Sequence, residues 1–198
     1  MRKSPRYGLP QGRLAIRGGL FFNLTLQRRE EVAGMSWSEL GDLDNRTWRI
    51  DAERMKNGKP HTVHLSDTAL TILRDIPHIK GCDFVFSTTG KTHVSGYSKA
   101  KAALDAEITK TRAEQQQLAP WWLHDFRRTG VSALAGLGFD SVVVDKLLAH
   151  QPAKLSGTAR IYQQHEFLKE RAQALDVWAV HVTSGGSTTS CYSTKTAK

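Results

Sequence analysis

A histidine and an arginine lie three residues apart, at His124 and Arg127, in a stretch with the apolar pattern of a helix. Residues three apart on a helix share a face, so this imidazole and this guanidinium are expected to lie side by side. A guanidinium suits chemistry on a phosphate because its planar fork is bidentate and stays protonated. In a chain with eight histidines such a pair also arises by chance, so it decides nothing alone.

Four further features occur in a fixed order around this pair. In chain order, the five are an RxxE motif from Arg28 to Glu31, Lys56 at a predicted β-turn, Leu123–Thr129 (LHDFRRT), Leu147–His150 (LLAH), and Tyr162. Their order and spacing resemble the catalytic domain of tyrosine recombinases, specifically the phage-type integrases. The resemblance runs from about Leu14 to Val182, which is most of the chain.

The resemblance implies that Arg28 and Arg127 neutralise the two non-bridging oxygens of a DNA phosphodiester as the transition state forms. Tyr162 would be the nucleophile that attacks phosphorus and leaves a 3′-phosphotyrosyl bond. A phenol with a pKa near 10 needs a base at neutral pH, and His124 is the candidate.

Three more residues take supporting roles by the same resemblance. His150 would donate a hydrogen bond to the phosphate, and Lys56, in the predicted β-hairpin, would protonate the departing 5′-hydroxyl. Glu31 is expected to orient Arg28 or its neighbours. The covalent intermediate stores the bond energy, so religation would need no ATP. The sequence has no P-loop or carboxylate cluster, and we expect no cofactor and no metal.

The chain departs from the family pattern at several positions. Ala149 and Leu26 stand where glycine is common, before the third-motif histidine and before the first arginine, respectively. Neighbouring arginines leave the register of both arginines open. Arg28 is chosen over Arg29 because it forms RxxE, and Arg127 over Arg128 because it shares a face with His124.

Other readings of individual residues are weaker. Alternative phenols are Tyr7, Tyr97 and Tyr192. Tyr97 precedes the His/Arg motif, which is the wrong order for this family, and the other two lie near the chain ends. His61 and His64 suggest a metal pair, but residues three apart on a strand point to opposite faces. Trp121 and Trp122 are expected to pack rather than to stack on bases.

Two other functions compete with the enzyme. The main rival is a non-catalytic DNA-binding protein of the same fold, and a metal-dependent nuclease is a distant third. An assay for covalent capture of DNA distinguishes the recombinase from both of these functions.

Composition points to a globular protein that binds a polyanion. The 198 residues carry a net charge of +9, a pI near 9.8, 39% apolar residues and 24% charged residues. A basic balance of this size indicates double-stranded DNA as the partner. No apolar stretch approaches the ~20 residues of a membrane span, and the two cysteines cannot build a disulfide framework. We expect a cytoplasmic protein, associated with the nucleoid of a bacterial host.

Apolar periodicity predicts a mainly α fold with a small antiparallel β-sheet, in the α+β class. Predicted helices are Leu14–Leu26, Arg28–Trp37, Asp67–Ile76, a segment from Ser95 or Ser98 to Ile108, Trp122–Leu137, a segment from Asp140 or Ser141 to Leu148, and Phe167–Val182. Predicted strands are Thr47–Asp51, Pro60–Leu65 and Phe84–Phe86.

The domain organisation follows from the same patterns. Residues 1–12 are expected to be a basic lead-in, 13–182 a tyrosine recombinase catalytic domain, and 183–198 a disordered tail. The resemblance implies a core-binding domain upstream, so the chain is expected to be a fragment with weak, electrostatic DNA affinity. The apolar face of the closing helix, Phe167–Val182, either docks on its own domain or links copies in a synaptic tetramer.

Overall fold

The computed structural model of the chain describes residues 11–112, 118–150 and 166–185. This part contains seven α-helices, three short 3-10 turns and one two-stranded antiparallel sheet. The elements are α1 (Gln11–Thr25), α2 (Arg29–Ala33), β1 (Thr47–Ile50), β2 (His61–His64), α3 (Asp67–Arg74), α4 (Tyr97–Thr111), α5 (Leu123–Gly136), α6 (Ser141–Leu147) and α7 (Leu168–Thr183). The predicted mainly helical α+β class is confirmed.

Helix α1 forms the centre of the fold. It packs against α2, α3, α4 and α7, and it buries the side chains of Phe21, Phe22 and Leu24. A Cβ at Gly18 would lie 3.5 Å from the Phe86 ring, an ordinary van der Waals distance, so Phe86 packs on this part of the helix. The helix begins at Gln11 and so includes the last two residues assigned to the lead-in, while residues 1–10 lie outside the described part.

The small sheet pairs β1 with β2 in the register Trp48↔Val63 and Ile50↔His61. Alternation in β1 turns Trp48 and Ile50 into the core, where both are fully buried. The Asn57-Gly58 signal predicts a hairpin, and Gly58 does adopt a positive φ of 64°. The connection is nevertheless long, because the 3-10 turn Ala52–Arg54 precedes this turn. Lys56 lies within the second turn, which the Gly58 N–H closes by donating to the Met55 carbonyl at 2.9 Å.

Two predicted elements differ from the structure. The helix expected over residues 28–37 ends at Ala33, because Gly34 follows and the chain then extends through Ser36. The strand predicted at Phe84–Phe86 is wrong: this segment forms only an isolated bridge, between Phe84 and Ser36. A 3-10 turn begins at Trp37, so the pairing cannot continue past that bridge. The apolar run reflects burial without a strand partner.

The closing helix α7 docks on its own domain. It packs against α1, α5, α6 and β2, and Leu175 and Trp178 are buried. The Trp178 Nε1–H donates to the Asn23 carbonyl of α1 at 2.7 Å. The apolar face of α7 was expected either to dock on its own domain or to link copies of the chain, and in the structure it docks on its own domain.

Within residues 11–112, 118–150 and 166–185, no helix has the length and apolar character needed to cross a membrane.

Replacing Trp178 with alanine tests the docking of α7. Trp178 is 3% exposed, so Trp178→Ala is expected to lower the free energy of unfolding by about 3–5 kcal/mol through lost burial and a new cavity. Val180→Ala, on the same helix at a side chain 56% exposed, is the matched control and should change it by less than about 0.5 kcal/mol. Urea denaturation measures both. Equal effects of the two variants would contradict the docking.

Candidate active site

Arg28 and Glu31 form a compact pair at the beginning of α2. The backbone N–H of Arg28 donates to Glu31 Oε2 at 2.7 Å, and its Nη1 donates to Oε1 at 2.7 Å. Glu31 is buried, and the Arg54 guanidinium donates to its backbone carbonyl at 2.6 Å. Both oxygens of one buried carboxylate therefore hold Arg28, so its guanidinium is oriented before any ligand arrives.

Arg127 lies behind this pair, buried in α5 with 3% of its surface exposed. Its Nη1 donates to the carbonyl of Leu26 and its Nη2 to the carbonyl of Leu148. Burial, together with the charge of Arg28, lowers the pKa of Arg127 to about 10, and Glu31 opposes this shift. The guanidinium therefore stays charged at neutral pH.

Arg127 donates hydrogen bonds to two backbone segments, and each segment contains a residue with a left-handed, positive φ. Leu26 has a φ of 54° and ends α1, and Ala149, which follows Leu148, has a φ of 51°. Glycine adopts this region without a steric cost, whereas a residue with a Cβ is strained there. The backbone conformation is therefore the constraint that favours glycine at these two positions.

The side chain of Leu26 also has a packing role. A Cβ placed on Gly130 of α5 would lie only 2.5 Å from Leu26 Cδ2. Leucine at position 26 therefore fills the space that Gly130 leaves on the neighbouring helix.

His124 lies in the first turn of α5. The Trp122 backbone N–H donates to Asp125 Oδ2 at 2.7 Å, which caps the helix and sets where His124 stands. Partial burial and the charges of Arg127 and Arg128 lower the pKa of His124, and Asp125 opposes them. The ring is consequently neutral at pH 7 and able to accept a proton.

His150 follows α6 directly. Its backbone N–H donates to the Asp145 carbonyl at 2.9 Å, and its ring Nδ1 lies 3.2 Å from Asp145 Oδ1. Both contacts hold the exposed imidazole against the last turn of α6, so its position depends on where that helix ends.

Two adjoining cavities bring the predicted site residues together. The larger, of about 720 Å³, is lined by Arg28, Lys56, Glu31 and His124, among others. The smaller, of about 490 Å³, is lined by Arg28, Lys56, Asn57, Ala149 and His150. Arg28 and Lys56 line both cavities, so the two form one cationic cleft around these side chains. Arg127 forms part of the support behind Arg28 rather than lining either cavity.

Tyr162, the expected nucleophile, lies outside the described residues, as do Tyr7 and Tyr192. The other alternative phenol, Tyr97, lines the larger cavity from the first turn of α4. Its hydroxyl is buried without a hydrogen-bond partner among the described residues, and burial raises the pKa of Tyr97 to about 12. A phenol with a raised pKa is harder to ionise, which makes Tyr97 a poor nucleophile.

The sequence analysis missed several residues of the cleft. The larger cavity is also lined by Arg54, Tyr97, Ser98, Lys101 and Trp122. Trp121 packs edge-on against Phe126, as expected, but Trp122 is 65% exposed, so the prediction of packing is wrong for Trp122. These residues belong to no motif: Arg54 ends the 3-10 turn after β1, Trp122 precedes α5, and the other three lie on α4.

The two histidines of β2 face different surroundings. His61 is buried with its Nε2 3.1 Å from the Leu147 carbonyl, whereas His64 Nε2 lies 3.0 Å from Asp176 Oδ1. Opposite faces of the strand therefore separate the rings, as the alternation predicts. In the described part of the chain, no three side chains of the histidine, cysteine, aspartate and glutamate types are grouped so as to hold a metal ion.

Comparison with known proteins gave two matches. The model of the phage integrase family matches residues 17–169 of the chain. Prophage integrase IntA of Escherichia coli (strain K12) is 29% identical over 166 residues, a stretch that covers 83% of this chain and 38% of that protein. The chain thus spans well under half the length of that relative. No solved structure matches the chain.

Substituting Ala149 tests the left-handed backbone before His150. Ala149→Gly is expected to raise the free energy of unfolding by up to about 1 kcal/mol, because relief of a 1–2 kcal/mol strain exceeds the entropy cost of glycine. Ala103→Gly, in the exposed middle of α4, is the matched control and should lower it by about 0.5–1 kcal/mol. Chemical denaturation measures the free energy of unfolding of both variants. A loss of stability in Ala149→Gly as well as in Ala103→Gly would contradict the backbone strain at Ala149.

A histidine titration tests the electrostatics of the cleft. The ring resonances of His124 should titrate with a midpoint below the ordinary value of 6.5, since burial and two arginines disfavour the charged form. Arg128→Gln removes one of those charges at an exposed position, so the midpoint should rise. Proton NMR across pH 4–8 measures both. A wild-type midpoint at or above 6.5 would contradict the arrangement.

Proposed function

Because the phage integrase model matches most of its length, the chain belongs to the phage integrase family, and we propose that it performs site-specific DNA recombination as a tyrosine recombinase. The reaction is integration or excision of phage-type DNA, by strand cleavage and religation through a 3′-phosphotyrosyl intermediate. One observation carries the proposal: Arg28 and Lys56 line a cleft that also holds His124 and His150. These are residue types that phosphoryl transfer without metal requires.

The arginines act on the charge of the phosphate. Arg28 presents a guanidinium held on Glu31, so its remaining N–H groups can pair with a non-bridging oxygen at no cost of reorientation. Arg127 donates two of its N–H groups to backbone carbonyls, and its fixed positive charge lies behind Arg28. In a partly desolvated site such charge favours the more anionic transition state.

The cleavage step moves two protons. The Tyr162 oxygen attacks phosphorus while its proton passes to the neutral ring of His124. The bond from phosphorus to the 5′-oxygen breaks, and Lys56 gives that oxygen a proton. With both ring nitrogens protonated, His150 donates to a non-bridging oxygen through Nε2 while its Nδ1–H faces Asp145 Oδ1. Atoms and charges balance without a further reagent.

Religation reverses the same steps. The phosphotyrosyl bond retains the energy of the broken phosphodiester, so a 5′-hydroxyl from another strand can attack it without ATP. The reaction is proposed to be metal-independent as well, with the cationic side chains of the cleft in the place of a metal ion.

The domain boundaries and the partners extend the proposal. Residues 13–182 are the catalytic domain, 1–12 a basic lead-in and 183–198 a tail. The net charge of +9 supports binding to double-stranded DNA, in the bacterial cytoplasm at the nucleoid. A synaptic tetramer assembled through α7 would use its exposed side chains, such as Leu168 and Val180, because its apolar face is buried within the chain.

Covalent capture tests the function directly. A suicide duplex, nicked so that the cleaved end diffuses away, is expected to yield a denaturant-resistant protein–DNA adduct in the presence of EDTA. Tyr162→Phe should abolish the adduct, because it removes the attacking oxygen and leaves the ring. Denaturing gel electrophoresis with labelled DNA measures the product, and Tyr97→Phe, in the same cleft, is the matched control that should retain it.

Each rival function has its own signature in this experiment. A non-catalytic DNA-binding protein would give only salt-sensitive mobility shifts and no adduct. A metal-dependent nuclease would give free ends that disappear with EDTA. Loss of the adduct in Tyr97→Phe but not in Tyr162→Phe would overturn the assignment of the nucleophile.

A further inference from the structure

The last turn of α6 is held by side chains from three other parts of the fold. Gln27 Nε2 donates to the Leu147 carbonyl at 3.1 Å, His61 Nε2 lies 3.1 Å from the same oxygen, and Arg127 donates to the Leu148 carbonyl. The final carbonyls of a helix have no partner within the helix, so such donors decide where its end lies. Ala149 and His150 follow immediately.

His61 links this helix end to α7. Since Nε2 faces a carbonyl oxygen, it carries the proton, and the neutral ring keeps Nδ1 as an acceptor. Arg171 Nη2, from α7, lies 3.4 Å from that Nδ1 and 3.5 Å from Nε2, so the guanidinium lies beside the ring. Burial and the charge of Arg171 lower the pKa of His61 to about 3, which is consistent with a neutral ring at every pH where the protein works.

Arg171 is itself enclosed. It is buried in α7, its Nη2 donates to the Thr62 carbonyl of β2, and its Nη1 donates to the Glu166 carbonyl at 3.3 Å. The Glu166 carboxylate lies 3.4 Å from Arg171 and 3.7 Å from Lys146 of α6. The start of α7 and β2 thus meet at this guanidinium, and α6 is linked to it through Glu166 and through His61.

We infer that His61 and Arg171 are positioning residues for the proposed reaction: they fix the end of α6, and through it His150, only while α7 is docked. The inference rests on the proposed function and adds to it a dependence of catalysis on the closing helix. Neither side chain lines the cationic cleft. His61 therefore acts through the Leu147 carbonyl, and Arg171 acts through His61.

The same helix and strand supply a matched control. His64 Nε2 lies 3.0 Å from Asp176 Oδ1, and Arg46 Nη2 lies 3.5 Å from the same atom. This contact also joins β2 to α7, three residues from His61. Neither Asp176 nor Arg46 belongs to α6, so a His64 variant weakens the docking without touching the helix end that carries His150.

The test compares single-turnover rates of adduct formation on the suicide duplex at saturating DNA. His61→Phe keeps an aromatic ring and loses the donor, and it should slow the reaction by about 10- to 100-fold, the range for a small misplacement of a reacting group. His64→Phe should stay within about two-fold of wild type. His61→Gln should recover most of the rate, because its amide can donate to Leu147.

A double-mutant cycle with His150→Ala separates positioning from general destabilisation. If His61 acts through His150, His61→Phe will slow the His150→Ala protein far less than it slows wild type. Full additivity, or an equal loss in His64→Phe, would overturn the inference. Arg171→Met repeats the test independently, and thermal unfolding verifies that each variant is folded; an unaffected rate in folded Arg171→Met would also overturn it.

The outcome for wild type keeps the two proposals apart. A wild-type adduct with unchanged rates in His61→Phe and Arg171→Met would overturn only the positioning role. Absence of any wild-type adduct would overturn the proposed function, and this inference with it.

Discussion

One buried charge, the guanidinium of Arg127, connects the parts of this protein that carry the candidate site. Burying a charge is costly unless polar groups compensate, and here the carbonyls of Leu26 and Leu148 do so. Those carbonyls belong to the ends of α1 and α6, where Leu26 and Ala149 adopt left-handed backbone. Arg28 follows the first end and His150 the second, so the bonds that stabilise the buried charge also set the spacing of the cleft.

The cleft concentrates positive charge with little to offset it. Burial is the main reason that the pKa values of Arg127, His124 and His61 are lowered, and neighbouring arginine charges add to the effect. Glu31 supplies the nearest compensation, and both of its oxygens are taken up by Arg28. An incoming phosphate would relieve this repulsion. Burial and the same arginine charges lower the pKa of His124, which favours the neutral ring that a proton acceptor requires.

The two histidines of β2 illustrate how one short strand serves two tasks. His61 faces inward and reaches the end of α6, and His64 faces α7 at Asp176. Helix α7 lies against the sheet beside both rings, with Asp176 next to His64 and Arg171 next to His61. The closing helix is consequently part of the same packed unit as the cleft. Its Arg171 contacts the ring of His61, which in turn contacts the end of α6 that precedes His150.

The sequence alone determined the class of fold, most helix positions and the order of the motifs, because these depend on local periodicity and on residue type. One predicted helix is shorter in the structure because Gly34 follows its end. One predicted strand is absent from the described residues, since an apolar run such as Phe84–Phe86 does not reveal whether a partner strand exists. Tertiary structure decided which side chains share the cleft. Tyr97 and Trp122 entered it, and Arg127 was set behind it, through contacts between residues far apart in the chain. Periodicity carries no information about such contacts, because they arise only when whole helices pack together.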